Sequence, residues 1–154
     1  PTWTVLVAAV NLARRVAYRN AQGGVQIDER DKTSVVVCNT PSLTHAIAEI
    51  IANALDYSPP DRDVVVAQWA RDSWVYITIT DQGKGMTEEQ LDHALKDFEQ
   101  IDRDRNEQQG LGLGLFLARK IVEAHFGTME IASRLGSGTQ ITISLPQYFE
   151  QEAQ

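Results

Sequence analysis

The stretch 75-VYITITDQGKGM-86 decides the fold, because it sets a strand, a carboxylate and two glycines side by side. Apolar residues alternate with polar ones, which predicts a half-buried strand, Trp74–Thr80, with Asp81 on the apolar side. A carboxylate on the buried side costs free energy unless a donor pairs with it.

Two explanations of the Asp81 stretch stay open at this point. Asp before Gln-Gly is a good start for a turn, and that explanation suffices for the residue taken alone. The other is a ligand donor, such as the exocyclic amine of adenine. Gly83 and Gly85 would then let the backbone pass close to a flat base.

Periodicity and turn residues divide the remaining chain into strands and helices. The further predicted strands are Val25–Glu29, Ser34–Cys38, Val64–Trp69, Gly127–Arg134 and Thr139–Leu145, and the predicted helices are Trp3–Arg19, Leu43–Tyr57, Thr87 to about Lys96, and Gly112–Ala124. Asn39-Thr40-Pro41-Ser42 is typical of a helix start. Because the strands come as hairpin-like pairs, we expect an α+β fold, a two-layer sandwich with helices covering one face of a mixed sheet.

Length and composition indicate one domain over residues 1–154, with a polar, frayed tail from about residue 147. The net charge of −7 argues against nucleic acid as a partner. The single cysteine, Cys38, excludes an internal disulfide and favours a reducing, cytoplasmic location. No apolar run approaches the ~20 residues that span a bilayer, although a longer parent protein anchored in a membrane is compatible with this.

The predicted helix Leu43–Tyr57 carries a polar stripe opposite its apolar side. Its members are His45, Glu49, Asn53 and Asp56. A solvated face is the usual meaning of such a stripe. Carboxylate and amide oxygens without Lys or Arg also suit a Mg²⁺ site.

Three alternating glycines, Gly110, Gly112 and Gly114, lead into the last predicted helix. Glycine costs about 1 kcal/mol relative to alanine inside a helix, so this placement needs a reason. Backbone N–H groups at a helix start can bind phosphate. Gly136 and Gly138, by contrast, are explained well by a hairpin turn.

The four motifs in this order resemble the nucleotide-binding boxes of the GHKL ATPase superfamily, which includes sensor histidine kinases, gyrase, Hsp90 and MutL. The motifs are Glu49-x-x-x-Asn53, Asp81-x-Gly83-x-Gly85, Gly110-x-Gly112-x-Gly114 and Gly136-x-Gly138-Thr139. The run 94-ALKDFE-99 resembles the phenylalanine box of histidine kinases, and 110-GLGLGLFLARKIVEAHFGTMEIAS-133 is similar to their glycine box and the helix that follows it. The resemblance implies the Bergerat fold and the catalytic, ATP-binding domain of a sensor histidine kinase.

The resemblance also implies roles for individual side chains. Asn53 would coordinate Mg²⁺ bridging the ATP phosphates, and Glu49 would orient a Mg²⁺-bound water or the attacking group. Asp81 would accept a hydrogen bond from adenine N6, with Thr139 supporting it or a nearby water. Tyr57 would pack near the nucleotide.

For the backbone and the predicted loop, the family implies a similar division of labour. Gly83 and Gly85 would shape the base pocket, whereas Gly110, Gly112 and Gly114 would cradle phosphates. Phe98 would anchor a lid, Asp97–Gln109, from which Arg103, Arg105 and Gln108 are candidates for reaching the γ-phosphate; a solvated loop explains these three equally well.

Two departures from the kinase pattern stand out. Asp56 occupies the place of a usual Lys, which brings the motif nearer to gyrase, Hsp90 and MutL. No phosphoacceptor motif is present, and His45, His93 and His125 are expected to be structural.

We therefore expect a chain that binds Mg²⁺-ATP and transfers the γ-phosphate to a histidine on a separate dimerisation domain, for relay to a response regulator. The isolated domain is expected to be a monomer. The alternatives are a serine kinase of the anti-sigma-factor type and a non-catalytic nucleotide-binding or interaction module.

Overall fold

A computed structural model describes residues 2–16, 23–28, 30–93 and 112–149. Its elements, in chain order, are α1 (Thr2–Val16), β1 (Val25–Asp28), α2 (Thr40–Tyr57), β2 (Val64–Arg71), β3 (Trp74–Thr80), α3 (Gly112–Ala124), β4 (Thr128–Arg134) and β5 (Gly138–Pro146). Residues 88–93 are also helical.

The strands form one mixed sheet in the order β1-β2-β3-β5-β4. Only the pair β1–β2 is parallel, and α2 makes the crossover between these two strands. The other pairs are antiparallel, with Thr80 opposite Gln140 and Ser133 opposite Thr139. The predicted mixed sheet is confirmed.

The core lies between the sheet and a layer of helices, in which α2 packs against both α1 and α3. Its largest fully buried side chains include Leu6, Leu43, Ile47, Ile50, Ile51, Ile77, Ile79, Ile143 and Leu145. The sheet residues among them alternate along β3 and β5, so they face the helices. Their burial is the main favourable contribution to folding, at roughly 1.5–3 kcal/mol per large side chain. The predicted two-layer sandwich is thus confirmed.

Helix α2 begins three residues before the predicted Leu43, because its cap lies at Asn39. The Asn39 side chain accepts from Ser42 N–H over 3.0 Å, which satisfies an otherwise unpaired donor of the first turn. Pro41 is tolerated there since first-turn N–H groups need no helical acceptor. The helix ends at Tyr57, before Ser58-Pro59-Pro60, as the sequence predicts.

The predicted strand Ser34–Cys38 is wrong. Within this segment only Val35 forms a β-bridge, a single antiparallel one to Tyr148, while Ser34 O accepts from Thr2 N–H at the start of α1. Asp31 holds the start of this segment by accepting from Ser34 N–H over 3.2 Å, and the segment then turns into the α2 cap. The residues between the Asp31 contact and the cap at Asn39 are too few to form a ladder of strand hydrogen bonds.

The segment after Pro146, for which we expect a frayed tail, is held by backbone hydrogen bonds at Gln147 and Tyr148. Gln147 N–H donates to Ser73 O over 2.9 Å, and Tyr148 N–H donates to Val35 O over 2.7 Å. Residues 150–154 lie outside the described ranges, as do the expected ends of the first helix beyond Val16 and of the helix beyond residue 93. In the described part of the chain, no helix has the length and apolarity needed to cross a membrane.

Candidate functional site

Asp81 follows directly on β3 and is 7% exposed, on the helix-facing side as predicted. Its backbone N–H donates to Thr139 O over 2.9 Å. Its Oδ1 accepts from Gly83 N–H at 2.8 Å and from Thr139 N–H at 3.1 Å. Within the described residues no hydrogen bond reaches Oδ2, so this carboxylate retains an acceptor for something else.

Burial raises the pKa of Asp81 above the ordinary value of 3.8, because a charged carboxylate is poorly solvated there. The hydrogen bonds from Gly83 and Thr139 lower the pKa again but only in part. Such a carboxylate gains from any further donor. A bound group carrying N–H would supply one.

Close backbone approaches explain the glycines around Asp81. A Cβ at Gly83 would lie 2.4 Å from Tyr57 O, and one at Gly138 would lie 2.2 Å from Asp81 O. Gly85 has φ +64° and would place a Cβ 2.0 Å from Arg134 O. The loop after β3 therefore packs closely between the end of α2 and the β4–β5 turn. The space at these three positions is too small for any side chain, so glycine is required.

A second part of the site forms where α2 faces the start of α3. A Cβ built on Gly114 would lie 3.0 Å from Glu49 Oε2 and 4.0 Å from Asn53 Nδ2. Both side chains are half-buried. The structure thus brings the predicted pair Glu49 and Asn53 together with the last glycine of the predicted phosphate cradle.

Electrostatics at the start of α3 favour an anion. The first turn contains no acidic residue, and Gly112 is its first residue. The N–H groups of the first turn and the positive end of the helix dipole point out of this end. Glycine at 112 and 114 leaves that approach without side chains, which is what a phosphate requires.

The oxygen donors also suit a metal. Asn53 and Glu49 lie one helical turn apart on α2 and offer an amide and a carboxylate, ligands typical of Mg²⁺ sites that keep several waters. Among the described residues, His, Cys, Asp and Glu form no group of three or more that could hold a metal ion. A Mg²⁺ ion here would therefore share its coordination with phosphate and water.

Of the remaining predicted site residues, the structure describes Tyr57 but not those of the predicted lid. Tyr57 is 41% exposed at the end of α2, beside the Asp81 loop, and burial together with the charge of Asp56 raises its pKa. Phe98, Gln108 and Gly110 lie outside the described residues, as do Arg103 and Arg105.

Two of the three histidines, His45 and His93, are exposed. His125 has a structural role at the opposite end of the helices. Its Nε2 accepts from Asn39 N–H over 2.9 Å, and its Nδ1 lies 2.6 Å from Ile121 O. This ring therefore ties the end of α3 to the cap of α2.

Sequence reasoning missed Ser133 on β4. Its Oγ accepts from Met86 N–H at 2.9 Å and lies 2.8 Å from Thr139 Oγ1. The available signal was its place across the predicted turn from Thr139, which pairing of the two strands makes a neighbour.

Comparison with known proteins connects this geometry with a function. Residues 38–148 match the family described as histidine kinase-, DNA gyrase B- and HSP90-like ATPase. The adaptive-response sensory kinase SasA of Synechococcus elongatus is 31% identical over 132 residues, which are 85% of this chain and 34% of that protein. The sensor histidine kinase WalK of Bacillus subtilis is 33% identical over 125 residues, 79% of this chain and 20% of that protein. The chain thus spans 34% and 20% of the lengths of these two relatives.

Solved structures agree with the sequence relatives. The mycobacterial sensor histidine kinase MprB superposes with a TM-score of 0.72 at 26% identity, covering 91% of this chain and 92% of that one. The catalytic domain of the histidine kinase ThkA, at 18% identity, has a TM-score of 0.74 over 94% of this chain and 91% of its own. The second likeness supports the fold.

Proposed function

Because the chain belongs to the histidine kinase-, DNA gyrase B- and HSP90-like ATPase family, and within it resembles sensor histidine kinases, we propose that it binds Mg²⁺-ATP and transfers the γ-phosphate to a histidine of a two-component phosphorelay. The acceptor histidine lies on a separate dimerisation domain, and an aspartate of a response regulator receives the phosphoryl group next. ATP and the single Cys38 both fit a cytoplasmic location.

One observation carries the proposal. The buried Asp81 keeps Oδ2 available as an acceptor beside the end of α2, while Glu49 and Asn53 of the same helix lie next to Gly114 at the start of α3. An adenine amine at the first place and phosphates at the second satisfy both ends of the site.

At the Asp81 end of the site, the chain binds the adenine base and orients it. Asp81 Oδ2 accepts from the exocyclic amine of adenine, and its charge strengthens that hydrogen bond. Gly83 and Gly85 leave the wall of the pocket flat, and Tyr57 covers its edge. These contacts hold the nucleotide so that its phosphates lie at the start of α3.

At the phosphate end, the chain neutralises and positions charge. The N–H groups of the first turn of α3 donate to phosphate oxygens, which Gly112 and Gly114 leave accessible. Asn53 would hold Mg²⁺ through its amide oxygen, and Glu49 would orient a water of the ion. The ion supplies charge neutralisation when bound.

The transfer needs an acceptor brought from outside this set of residues. Of the three histidines, His125 is engaged at the far end of α3, and His45 and His93 stand in none of the acceptor motifs of the family. In-line attack by an imidazole nitrogen on the γ-phosphorus breaks its bond to the β,γ-bridging oxygen and leaves ADP. The expected lid, Asp97–Gln109 with Phe98 and Gln108, and the first glycine of the expected phosphate cradle, Gly110, lie outside the described residues.

Phosphotransfer to a supplied acceptor tests the proposal. The chain is incubated with radiolabelled ATP, Mg²⁺ and the histidine-bearing hairpin domain of a relative such as WalK, with Asn53→Ala as the comparison and His45→Gln as a matched control on the same helix. Label on the hairpin that is lost in acid, kept in base and absent with Asn53→Ala supports it.

Acid-stable label on a serine-bearing substrate would instead favour the anti-sigma-factor type of kinase. A folded chain that fails to bind ATP at all would favour the interaction module, and Asp56 would then be the first residue to replace with Lys.

A further inference from the structure

We propose that Ser133 is a positioning residue for base recognition, which fixes the Thr139 hydroxyl as a hydrogen-bond acceptor beside Asp81 and so selects bases that carry an exocyclic amine. The proposal rests on the ATP-binding function given above and deepens it. It concerns a residue that lies outside all four nucleotide-binding motifs.

The first step is the row that three side chains form across the sheet. Asp81 follows β3, Thr139 lies on β5 and Ser133 on β4, with Ser133 and Thr139 opposite one another. Thr139 N–H donates to Asp81 Oδ1 at 3.1 Å. Ser133 therefore contacts the buried carboxylate through one intervening residue, Thr139, on the helix-facing side of the sheet.

The second step is the count of hydrogen bonds at one hydroxyl. Ser133 Oγ lies 2.9 Å from Met86 N, 3.1 Å from Gly138 O and 2.8 Å from Thr139 Oγ1. A serine hydroxyl has one proton to donate and two lone pairs. Three partners use all of them.

The direction of each bond follows from the chemistry of the partners. The Met86 N–H can only donate and the Gly138 carbonyl can only accept. Ser133 therefore gives its proton to Gly138 O, and the bond to Thr139 is made with the Thr139 proton. With that proton engaged, Thr139 Oγ1 presents only lone pairs to any other group.

The consequence for a ligand is a pair of acceptors, Asp81 Oδ2 and Thr139 Oγ1, on one side of the base pocket. The 6-amino group of adenine offers two N–H donors, directly or through water, whereas the 6-oxo group of hypoxanthine offers none. Without Ser133, the Thr139 hydroxyl could turn and donate to an oxo group, because its proton would have no fixed partner. The selectivity for adenine over hypoxanthine would fall, because the oxo group would no longer face only acceptors.

Ser133 also holds the glycine-containing loop that follows Asp81. Through Met86 it fixes the end of the glycine loop, where Lys84 O accepts from Gly136 N–H at 2.7 Å. This contact exists without any ligand and gives a readout that does not depend on nucleotide.

The experiment compares ADP with inosine diphosphate by calorimetric titration in the presence of Mg²⁺. The variants are Ser133→Ala, Ser133→Thr, which keeps the hydroxyl, and Ser137→Ala, a matched control at an exposed position of the same turn. We expect the preference of the wild type for ADP to fall roughly tenfold in Ser133→Ala, the equivalent of ~1.4 kcal/mol. Ser133→Thr should restore it, and Ser137→Ala should leave it unchanged.

Amide exchange at Met86, measured without nucleotide, should quicken in Ser133→Ala and not in Ser133→Thr. Equal weakening of ADP and inosine diphosphate in Ser133→Ala would mean that Ser133 merely supports the fold, and the proposal would be overturned. An unchanged preference would overturn it as well. If Ser133→Ala does not fold, Ser133→Cys, with its weak thiol donor, replaces it with the same expectation.

Failure of this inference is distinguishable from failure of the proposed function. If the wild type binds ADP but Ser133→Ala keeps full selectivity, only the role of Ser133 is wrong. If the folded wild type binds neither nucleotide, the ATP-binding function is wrong and the role of Ser133 with it.

Discussion

Replacing Asp81 by Asn separates nucleotide binding from folding more sharply than any other substitution in this chain. An Asn side chain keeps Oδ1, which can still accept from Gly83 and Thr139 N–H as the carboxylate does at 2.8 and 3.1 Å. The amide turns the remaining Oδ2 position into an NH₂ donor. That position then repels the adenine amine, which is also a donor.

The size of the binding loss follows from the bond removed. A hydrogen bond to a charged acceptor contributes about 1.5–3 kcal/mol. With 1.4 kcal/mol per factor of ten, Asp81→Asn should weaken binding of an ATP analogue about 10- to 100-fold. The two donors facing each other add to this loss.

Folding stability should change in the opposite direction. Burial raises the pKa of Asp81 in the folded chain above 3.8, so the folded state holds its proton over a pH window in which the unfolded state has lost it. The contribution of Asp81 to stability therefore falls as pH rises through that window and stays lower above it. Asn has no charge to bury, so Asp81→Asn should gain stability relative to the wild type as pH rises from below 3.8.

Calorimetric titration of a non-hydrolysable ATP analogue with Mg²⁺ measures the first effect, and denaturant unfolding at several pH values measures the second. Asp61→Asn is the matched control, since its side chain is 80% exposed. Unchanged affinity in a folded Asp81→Asn variant would refute the assignment of the base end. A variant that loses both affinity and stability at neutral pH would show that the carboxylate serves the fold instead.

Four further substitutions have distinct expected outcomes. Gly85→Ala would add a Cβ at a residue with positive φ and place it 2.0 Å from the Arg134 carbonyl oxygen, whereas Gly136→Ala would add one at positive φ but into open space. Thermal unfolding should therefore show a loss of about 1–2 kcal/mol for Gly136→Ala, from the positive φ alone. The steric clash should make the loss for Gly85→Ala ~1–3 kcal/mol larger. Gly114→Ala should raise helix stability by up to about 1 kcal/mol yet weaken ATP binding, because its Cβ fills the cradle 3.0 Å from a carboxylate of α2; calorimetry and melting then move in opposite directions. His125→Ala should cost about 0.5–1.5 kcal/mol in denaturant unfolding, since the exposed Asn39 N–H exchanges its imidazole acceptor for water, and binding of ATP at the opposite end should change little.

Local pattern was sufficient for much of the fold. Alternation along Trp74–Thr80 fixed which side of β3 is buried, and therefore that Asp81 is buried. The helix-start motif located the cap at Asn39. The strand Ser34–Cys38 was predicted from a short run of valines after a polar turn and failed, because a strand forms only where another segment pairs with it.

The sequence by itself determined the order of the motifs and hence the family, since each glycine or carboxylate is recognisable from its own neighbours along the chain. Only the tertiary structure decided which groups meet. The approach of Gly114 to Glu49 depends on how α3 packs on α2, and the bond from Ser133 to Thr139 depends on the register of β4 and β5. Contacts between distant segments arise from packing and strand pairing, which bring together residues that no local pattern relates.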